Sequence, residues 1–87
     1  MAKAFALRVV TPEGAAVERE VTSLVLPGAA GALGVLAGHE PWTVLLKAGR
    51  VSFEVPGGSW EHVSIQAGVA QIEPARTIVI ADPARGG

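Results

Sequence analysis

Glycine and proline occur so often along this chain that they limit the length of any regular element. The 87 residues include 11 Gly and 6 Pro, which leave segments of about five to eight residues between them. Segments of that length suit β-strands, because helices in globular domains usually need about ten residues or more. Residues 11–14 (TPEG) and 56–59 (PGGS) are turn sequences that follow strand-like segments. The sequence therefore predicts an all-β fold.

The strand-like segments alternate apolar and polar residues or are short apolar runs. One of them, residues 17–21, carries charges that are typical of an edge strand. The candidate strands are residues 5–10, 17–21, 24–26, 33–36, 42–47, 50–55, 60–66, 69–73 and 77–81. Their regular spacing, with no helical period between them, predicts a single domain over residues 1–87, an antiparallel β-sandwich of about ten short strands.

Charge and composition exclude several classes of protein. The chain has 7 Lys and Arg against 8 Asp and Glu, a formal net charge of −1, so it lacks the basic field expected of a nucleic-acid-binding protein. No apolar run approaches the ~20 residues that cross a bilayer, and no secretion signal precedes the first strand. With no Cys to staple a domain that buries only ~60–65% of its unfolded surface, a docking partner is plausible. The simplest location is a reducing cytoplasm.

The residues that carry chemistry do not form a catalytic pattern. No serine has the context of a nucleophile elbow, and Asp82 is the only aspartate available for a triad. His39 and His62, with Glu40 or Glu61, leave a metal site open, but their spacing does not select a ligand set. Surface imidazoles are the favoured interpretation. The sequence predicts no enzyme activity, no cofactor and no metal.

Residues 28–38 form a segment of small residues in which Gly recurs at intervals of three or four. The segment ends in Gly38-His39-Glu40-Pro41 and does not open a helix, which excludes a phosphate-binding loop. Two interpretations stay open: the glycines serve tight turns, with a positive φ expected at Gly34, or the uncharged loop lets a partner's backbone approach. Trp42 and Trp60 are expected in the core or at its rim.

Taken in order, these segments resemble the epsilon subunit of F-type rotary ATP synthase over the whole chain. Residues 28–41 match a family signature, Gly-x-x-Gly-x-Leu-Gly-Ile/Val-x-x-Gly-His-x-Pro, at every fixed position. Residues 7–14 (LRVVTPEG), 46–49 (LKAG) and 78–82 (IVIAD) flank it in the family's order. The resemblance implies an N-terminal β-sandwich of ten strands followed by a helical hairpin. The sequence printed here has no residues for that hairpin, so we expect no inhibition or ATP sensing by such an arm.

The resemblance further implies a non-catalytic rotor subunit in the central stalk of a proton- or sodium-driven ATP synthase. Such a subunit docks gamma onto the c-ring, couples rotation to ATP synthesis, and lies on the cytoplasmic face of a bacterial inner membrane without entering it. By match to the family's motif, the residues expected to face the c-ring are Gly28, Ala30, Gly31, Ala32 and Gly34. Those expected to face gamma are Thr11, Gly38, His39, Glu40 and Pro41.

Three positions depart from the family's usual residues. Relatives commonly carry acidic side chains where this chain has Ala30 and Ala32, so contact with the c-ring would rest on backbone groups and shape. Ala37 stands where Pro is common. His39 is expected to fix its loop or an interface by hydrogen bonding. An alternative from a different class is a free-standing β-sandwich that captures a small ligand or a peptide along an open sheet edge.

Overall fold

The computed structural model describes residues 3–83, and within that range every regular element is a β-strand. The strands are β1 (Phe5–Thr11), β2 (Gly14–Val21), β3 (Ser23–Gly28), β4 (Gly31–Val35), β5 (Trp42–Leu46), β6 (Gly49–Glu54), β7 (Trp60–Ile72) and β8 (Arg76–Pro83). The predicted all-β class is confirmed. The described residues form eight strands rather than the expected ten.

Strand β7 joins the two layers of the sandwich. Its first half pairs with β6, from Gly49 opposite Ile65 to Glu54 opposite Trp60, and its second half pairs with both β5 and β8. An irregularity between Ile65 and Ala67 lets the strand pass from one layer to the other. One layer therefore has the order β2-β1-β8-β7-β5, and the other contains β7, β6, β3 and β4. The predicted break between residues 66 and 69 is wrong, because β7 continues through it.

One pairing is parallel, which corrects the expectation of a purely antiparallel sandwich. β8 lies between β1 and β7, and it runs parallel to β1 from Ala6 opposite Arg76 to Val10 opposite Ile80. A parallel neighbour requires a long crossover, and here the whole chain from β2 to β7 forms that connection. Sequence alternation gave no indication of direction, because parallel and antiparallel strands share the same side-chain period.

The core is built by the inward residues of all eight strands. In β1 the alternation is regular, with Phe5, Leu7 and Val9 at 0–3% exposure between exposed neighbours. The fifteen buried apolar residues in the described part of the chain all belong to one cluster. Thr77 is also fully buried, and no group among residues 3–83 forms a hydrogen bond with its hydroxyl. Trp42 and Trp60 are 55% and 47% exposed and do not pack on this cluster, so their expected burial is wrong.

The two sides of the sandwich differ. β2 is an edge strand, as predicted, and an irregularity between Val9 and Val10 bulges its pairing with β1. On this side Arg19 of β2 donates to Glu61 of β7 at 2.9 Å, which links the two layers. On the opposite side the edges are β5 of one layer and β4 of the other, and no ion pair among the described residues joins those two strands.

Candidate functional site

The hairpin between β3 and β4 is closed by two glycines with separate structural roles. Gly28 is buried opposite Gly31, and a Cβ added to Gly28 would lie 2.5 Å from the carbonyl oxygen of Gly31. Gly31 has φ of +140°, a region that other residues rarely adopt. Ala29 and Ala30 form the exposed tip between them. Of the residues expected to face the c-ring, Gly28 and Gly31 are therefore required by the turn itself.

The other three residues of that group are exposed. Ala30 lies at the tip, and Ala32 and Gly34 lie on β4. Gly34 does not have a positive φ, and nothing lies within 4 Å of a Cβ placed there. The expected positive φ at Gly34 is wrong, because this residue continues a regular strand opposite Val25.

A groove lies between this hairpin and β5. It has a volume of ≈ 440 Å³ and is lined by residues 28–33 and 42–45. None of these ten residues is ionisable, so the groove is uncharged. We call it the edge groove, because β4 is an edge strand and β5, which β3 reaches only at Leu46, is open on the same side along the rest of its length.

The segment Gly38-His39-Glu40-Pro41 is held by main-chain hydrogen bonds at one end of the sheet. The Gly38 N–H donates to the carbonyl of Pro74 at 2.8 Å, which ties the segment to the turn between β7 and β8. The His39 N–H donates to the carbonyl of Leu36 at 3.3 Å. The path of the segment into β5 is therefore set by the backbone.

The side chain of His39 is positioned by its neighbours. Its Nδ1 lies 2.7 Å from the carbonyl oxygen of Glu40, and its ring stacks on Trp42 with centroids 6.2 Å apart and planes 10° apart. These contacts agree with the expected role of His39 in fixing its loop. Glu40, Pro41 and Trp42 are exposed beside it.

Thr11 stabilises the turn between β1 and β2. Its hydroxyl donates to the carbonyl of Gly14 at 3.1 Å and accepts from the N–H of Glu13 at 3.2 Å. Thr11 follows the pair formed by Val10 and Ile80, whereas Gly38 contacts Pro74, which precedes β8. At about 3.3 Å per residue, the two groups expected to face gamma are separated by roughly 20 Å along β8.

Next to Thr11 lies an apolar row that the sequence interpretation missed. Val10, Ile80, Val69 and Leu45 are paired in register across β1, β8, β7 and β5. They point away from the core, and Leu45 and Ile80 are 70% and 56% exposed. We call this row the outer stripe. The sequence did contain one indication of this row, the run of five residues from Thr77 to Ala81. A strand with apolar residues on both faces is typical of a sheet that is buried on both sides.

Similar proteins were found over nearly the whole chain. Residues 4–87 match the family model described as the beta-sandwich domain of the ATP synthase delta/epsilon chain. The chain belongs to this family. The membership confirms the resemblance seen in the sequence and the β-sandwich fold.

Curated relatives support the same family. The ATP synthase epsilon chain of Granulibacter bethesdensis is 40% identical over 79 residues, which cover 91% of this chain and 58% of the relative. That of Wolinella succinogenes is 38% identical over 84 residues, which cover 97% of this chain and 64% of the relative. The chain thus spans about three fifths of the length of these epsilon chains.

A solved structure shows the same fold. A chain in the Euglena gracilis mitochondrial ATP synthase, in an assembly of OSCP, F1 and c-ring, superposes with a TM-score of 0.83 at 24% identity. The superposition covers 92% of this chain and 53% of that one. At this identity the likeness supports the architecture of the β-sandwich and no further detail.

The residues weighed for catalysis or metal binding stay apart. His62 lies 2.7 Å from the hydroxyl of Ser52 on the outer face of β6 and β7, an exposed pair. His39 belongs to the loop before β5 and contacts neither. Over residues 3–83 no three His, Asp or Glu side chains converge on a common point. Over the same range no helix has the length and apolar character needed to cross a membrane.

Proposed function

We propose that this chain is a non-catalytic rotor subunit of a proton- or sodium-driven ATP synthase, which docks gamma onto the c-ring and couples rotation to ATP synthesis. Family membership supports the type of complex. The observation that carries the docking role is the outer stripe, in which two large apolar side chains, Leu45 and Ile80, are more than half exposed on the outer face of one layer. An apolar stripe of this kind is typical of a protein interface.

In this proposal gamma covers the outer stripe. Thr11 borders it where β1 ends, and residues 38–41 lie before β5 at the other end of the same layer, roughly 20 Å away along β8. Four strands at about 4.8 Å spacing make the stripe roughly 14 Å wide, the size suited to one element of a partner rather than to a small ligand. The stripe supplies apolar area, and the bordering polar groups supply orientation.

The test is binding of the full chain to purified gamma, measured by isothermal titration calorimetry. Leu45→Lys and Ile80→Lys place a charge in the stripe without changing the core, so each should weaken binding at least about tenfold, because burying an unpaired charge is costly. Ser64→Lys, on the exposed outer face of the other layer, is the matched control and should bind normally. Normal binding by both stripe variants would exclude this face.

The hairpin between β3 and β4 is proposed to face the c-ring through Ala30, Ala32 and Gly34, with Gly28 and Gly31 holding its shape. The hairpin tip is exposed and uncharged, and Ala side chains allow close approach of another backbone. Ala30→Arg adds a long charged side chain at the tip and should weaken co-purification with a gamma and c-ring complex. The melting temperature of the isolated chain should stay within ~2 °C, because surface substitutions are usually neutral to stability.

The location follows from the same proposal. A subunit that joins gamma to the c-ring lies at the cytoplasmic face of a bacterial inner membrane, as a peripheral part of the complex. Curated relatives that are bacterial epsilon chains support this placement. Membrane fractions washed at high salt should retain the chain when the synthase is present and lose it when gamma is absent.

A further inference from the structure

The outer edge of β4 carries main-chain polar groups that point away from the sheet. Pro27 lies opposite Ala32, has no N–H, and its carbonyl accepts from the N–H of Lys47 on β5 at 2.9 Å. Pro27 and Ala32 are therefore a pair without hydrogen bonds between them, and the N–H and C=O of Ala32 point outward. Gly34, two residues further along β4, has the same orientation.

The neighbouring edge of β5 is open in the same way. The Ala29 N–H donates to the carbonyl of Leu45 at 2.9 Å, which shows that this carbonyl points away from β7. Thr43, two residues earlier, points to the same side. Because β3 reaches β5 only where Gly28 lies opposite Leu46, it does not pair with Thr43. Unpaired main-chain groups thus border the edge groove on both sides.

The opposite side of the sandwich shows what a protected edge looks like in this chain. β2 carries Glu18, Arg19 and Glu20, is bulged against β1, and is linked to the other layer by the Arg19–Glu61 ion pair. Charges and bulges are the usual means of preventing strand addition at an edge. β4 has neither a charge nor a bulge in its pairing with β3.

We propose that an extended, uncharged segment of a partner subunit adds to the sandwich as a further strand along β4. The outward N–H and C=O groups of Ala32 and Gly34 pair with its main chain, and its alternate side chains enter the edge groove. An uncharged occupant is complementary to a groove without any ionisable lining residue. This inference rests on the proposed function, because the same hairpin is proposed to face the c-ring, and it names how the contact is made.

A second copy of this chain is a poorer occupant. Two chains paired through β4 alone would contribute five residues each, whereas stable interfaces use about 20–30 residues a side. A partner that also contacts the tip at Ala30 and the groove wall provides the additional area. Self-association through β4 is accordingly one of the results that would overturn the assignment.

Amide hydrogen exchange of the full chain, measured by NMR alone and bound to a complex of gamma and c-ring, tests the pairing directly. In the free chain the amides of Ala32 and Gly34 should exchange rapidly, while those of Leu33 and Val35, which face β3, are protected. Binding should slow exchange at Ala32 and Gly34 at least about tenfold, because each would gain a hydrogen bond. Rapid exchange at both residues in a complex that has formed would overturn the proposal.

Two substitutions at one position separate the main chain from the side chain. Ala32→Pro deletes the outward N–H without removing a hydrogen bond to β3, and proline is tolerated on edge strands of this kind. Loss of one hydrogen bond should weaken binding by about 2- to 10-fold. Ala32→Val keeps the N–H and enlarges only the side chain, so any loss of binding that it shows measures side-chain shape alone and should be smaller than the loss in Ala32→Pro. Equal losses in both variants, with unchanged melting curves, would show that side-chain shape rather than strand pairing decides binding.

Failure of the proposed function is distinguishable from failure of this inference. If the chain does not bind gamma and c-ring at all, the rotor assignment fails, and the open edge is tested with the uncharged peptide Thr-Val-Thr-Val-Thr at up to millimolar concentration. Shifts of the Ala32 and Gly34 amides on titration would still support strand addition. The absence of any shifts would overturn it. Shifts that appear when the chain is concentrated without peptide, with a dimer detected by sedimentation, would also overturn it.

Discussion

Gly68→Ala is the substitution for which the structure makes the sharpest stability prediction. Gly68 lies in β7 opposite Ala81 of β8, just after the point where β7 passes between layers. A Cβ at Gly68 would lie 2.8 Å from both Cα and Cβ of Ala81 and would overlap the carbonyl oxygen of Ile80. Backbone atoms in a paired strand cannot rotate aside, so the alanine must push β7 and β8 apart.

The expected cost follows from two opposing contributions. Overpacking a rigid site usually costs about 1–3 kcal/mol and sometimes more. Replacing glycine by alanine restricts the unfolded chain and returns about 0.4–1 kcal/mol. Because the overlap at Gly68 involves main-chain atoms, we expect the upper part of the first range, which leaves a net loss of about 2 kcal/mol. For a domain of this size, that lowers the melting temperature by roughly 8–16 °C.

Gly34→Ala is the matched control, since Gly34 is also a strand glycine without positive φ, but nothing lies within 4 Å of an added Cβ. Only the unfolded-state contribution applies there, so this variant should be unchanged or more stable by up to about 1 kcal/mol. Urea unfolding followed by circular dichroism measures both. If Gly68→Ala unfolds at the parent's urea concentration, or if Gly34→Ala loses as much stability as Gly68→Ala, the steric explanation is wrong.

Three further predictions concern the stability of the isolated chain. Thr77→Val should raise the free energy of unfolding by about 1 kcal/mol in urea titrations, because it replaces a buried hydroxyl without a partner by a methyl group of similar size; a loss would mean that the hydroxyl is hydrogen-bonded in solution. Gly31→Ala should cost about 1–3 kcal/mol in the same assay, owing to φ of +140°, and an unchanged value would show that the turn adopts another conformation. Arg19→Gln should lower the free energy of unfolding by at most about 0.5 kcal/mol, because both partners in its ion pair with Glu61 are more than 40% exposed. The difference from the parent should vanish in 1 M NaCl, and a larger loss that does not depend on salt would contradict this.

Much of the strand layout could be predicted from the sequence, because turns and side-chain alternation are local properties. The Thr11 turn and the alternation of β1 follow from residues next to one another. The continuity of β7 could not be predicted in this way. A glycine at position 68 equally suggests a break or a close backbone approach, and the position of Ala81 decides between them.

The candidate surfaces also divide into parts that the sequence locates and parts that depend on strand pairing. The signature at residues 28–41 located the hairpin and the loop before β5 without any knowledge of the fold. The outer stripe could not be found, because Val10 and Leu45 become part of one row only through the pairings of β8 and β7. The open edge of β4 depends likewise on Pro27, whose partner across the ladder is set by register rather than by sequence distance.

In the proposed rotor role, β5 connects the two docking surfaces. Leu45 presents its side chain in the outer stripe, and its carbonyl accepts the hydrogen bond from Ala29 in the hairpin tip. The Lys47 N–H makes a second bond to Pro27 at the base of the same hairpin. A force applied to the hairpin therefore reaches the stripe through two main-chain hydrogen bonds and one strand, without crossing a flexible linker. Because all five residues of β5 also pair with β7, the hairpin shifts relative to the stripe only if these bonds break.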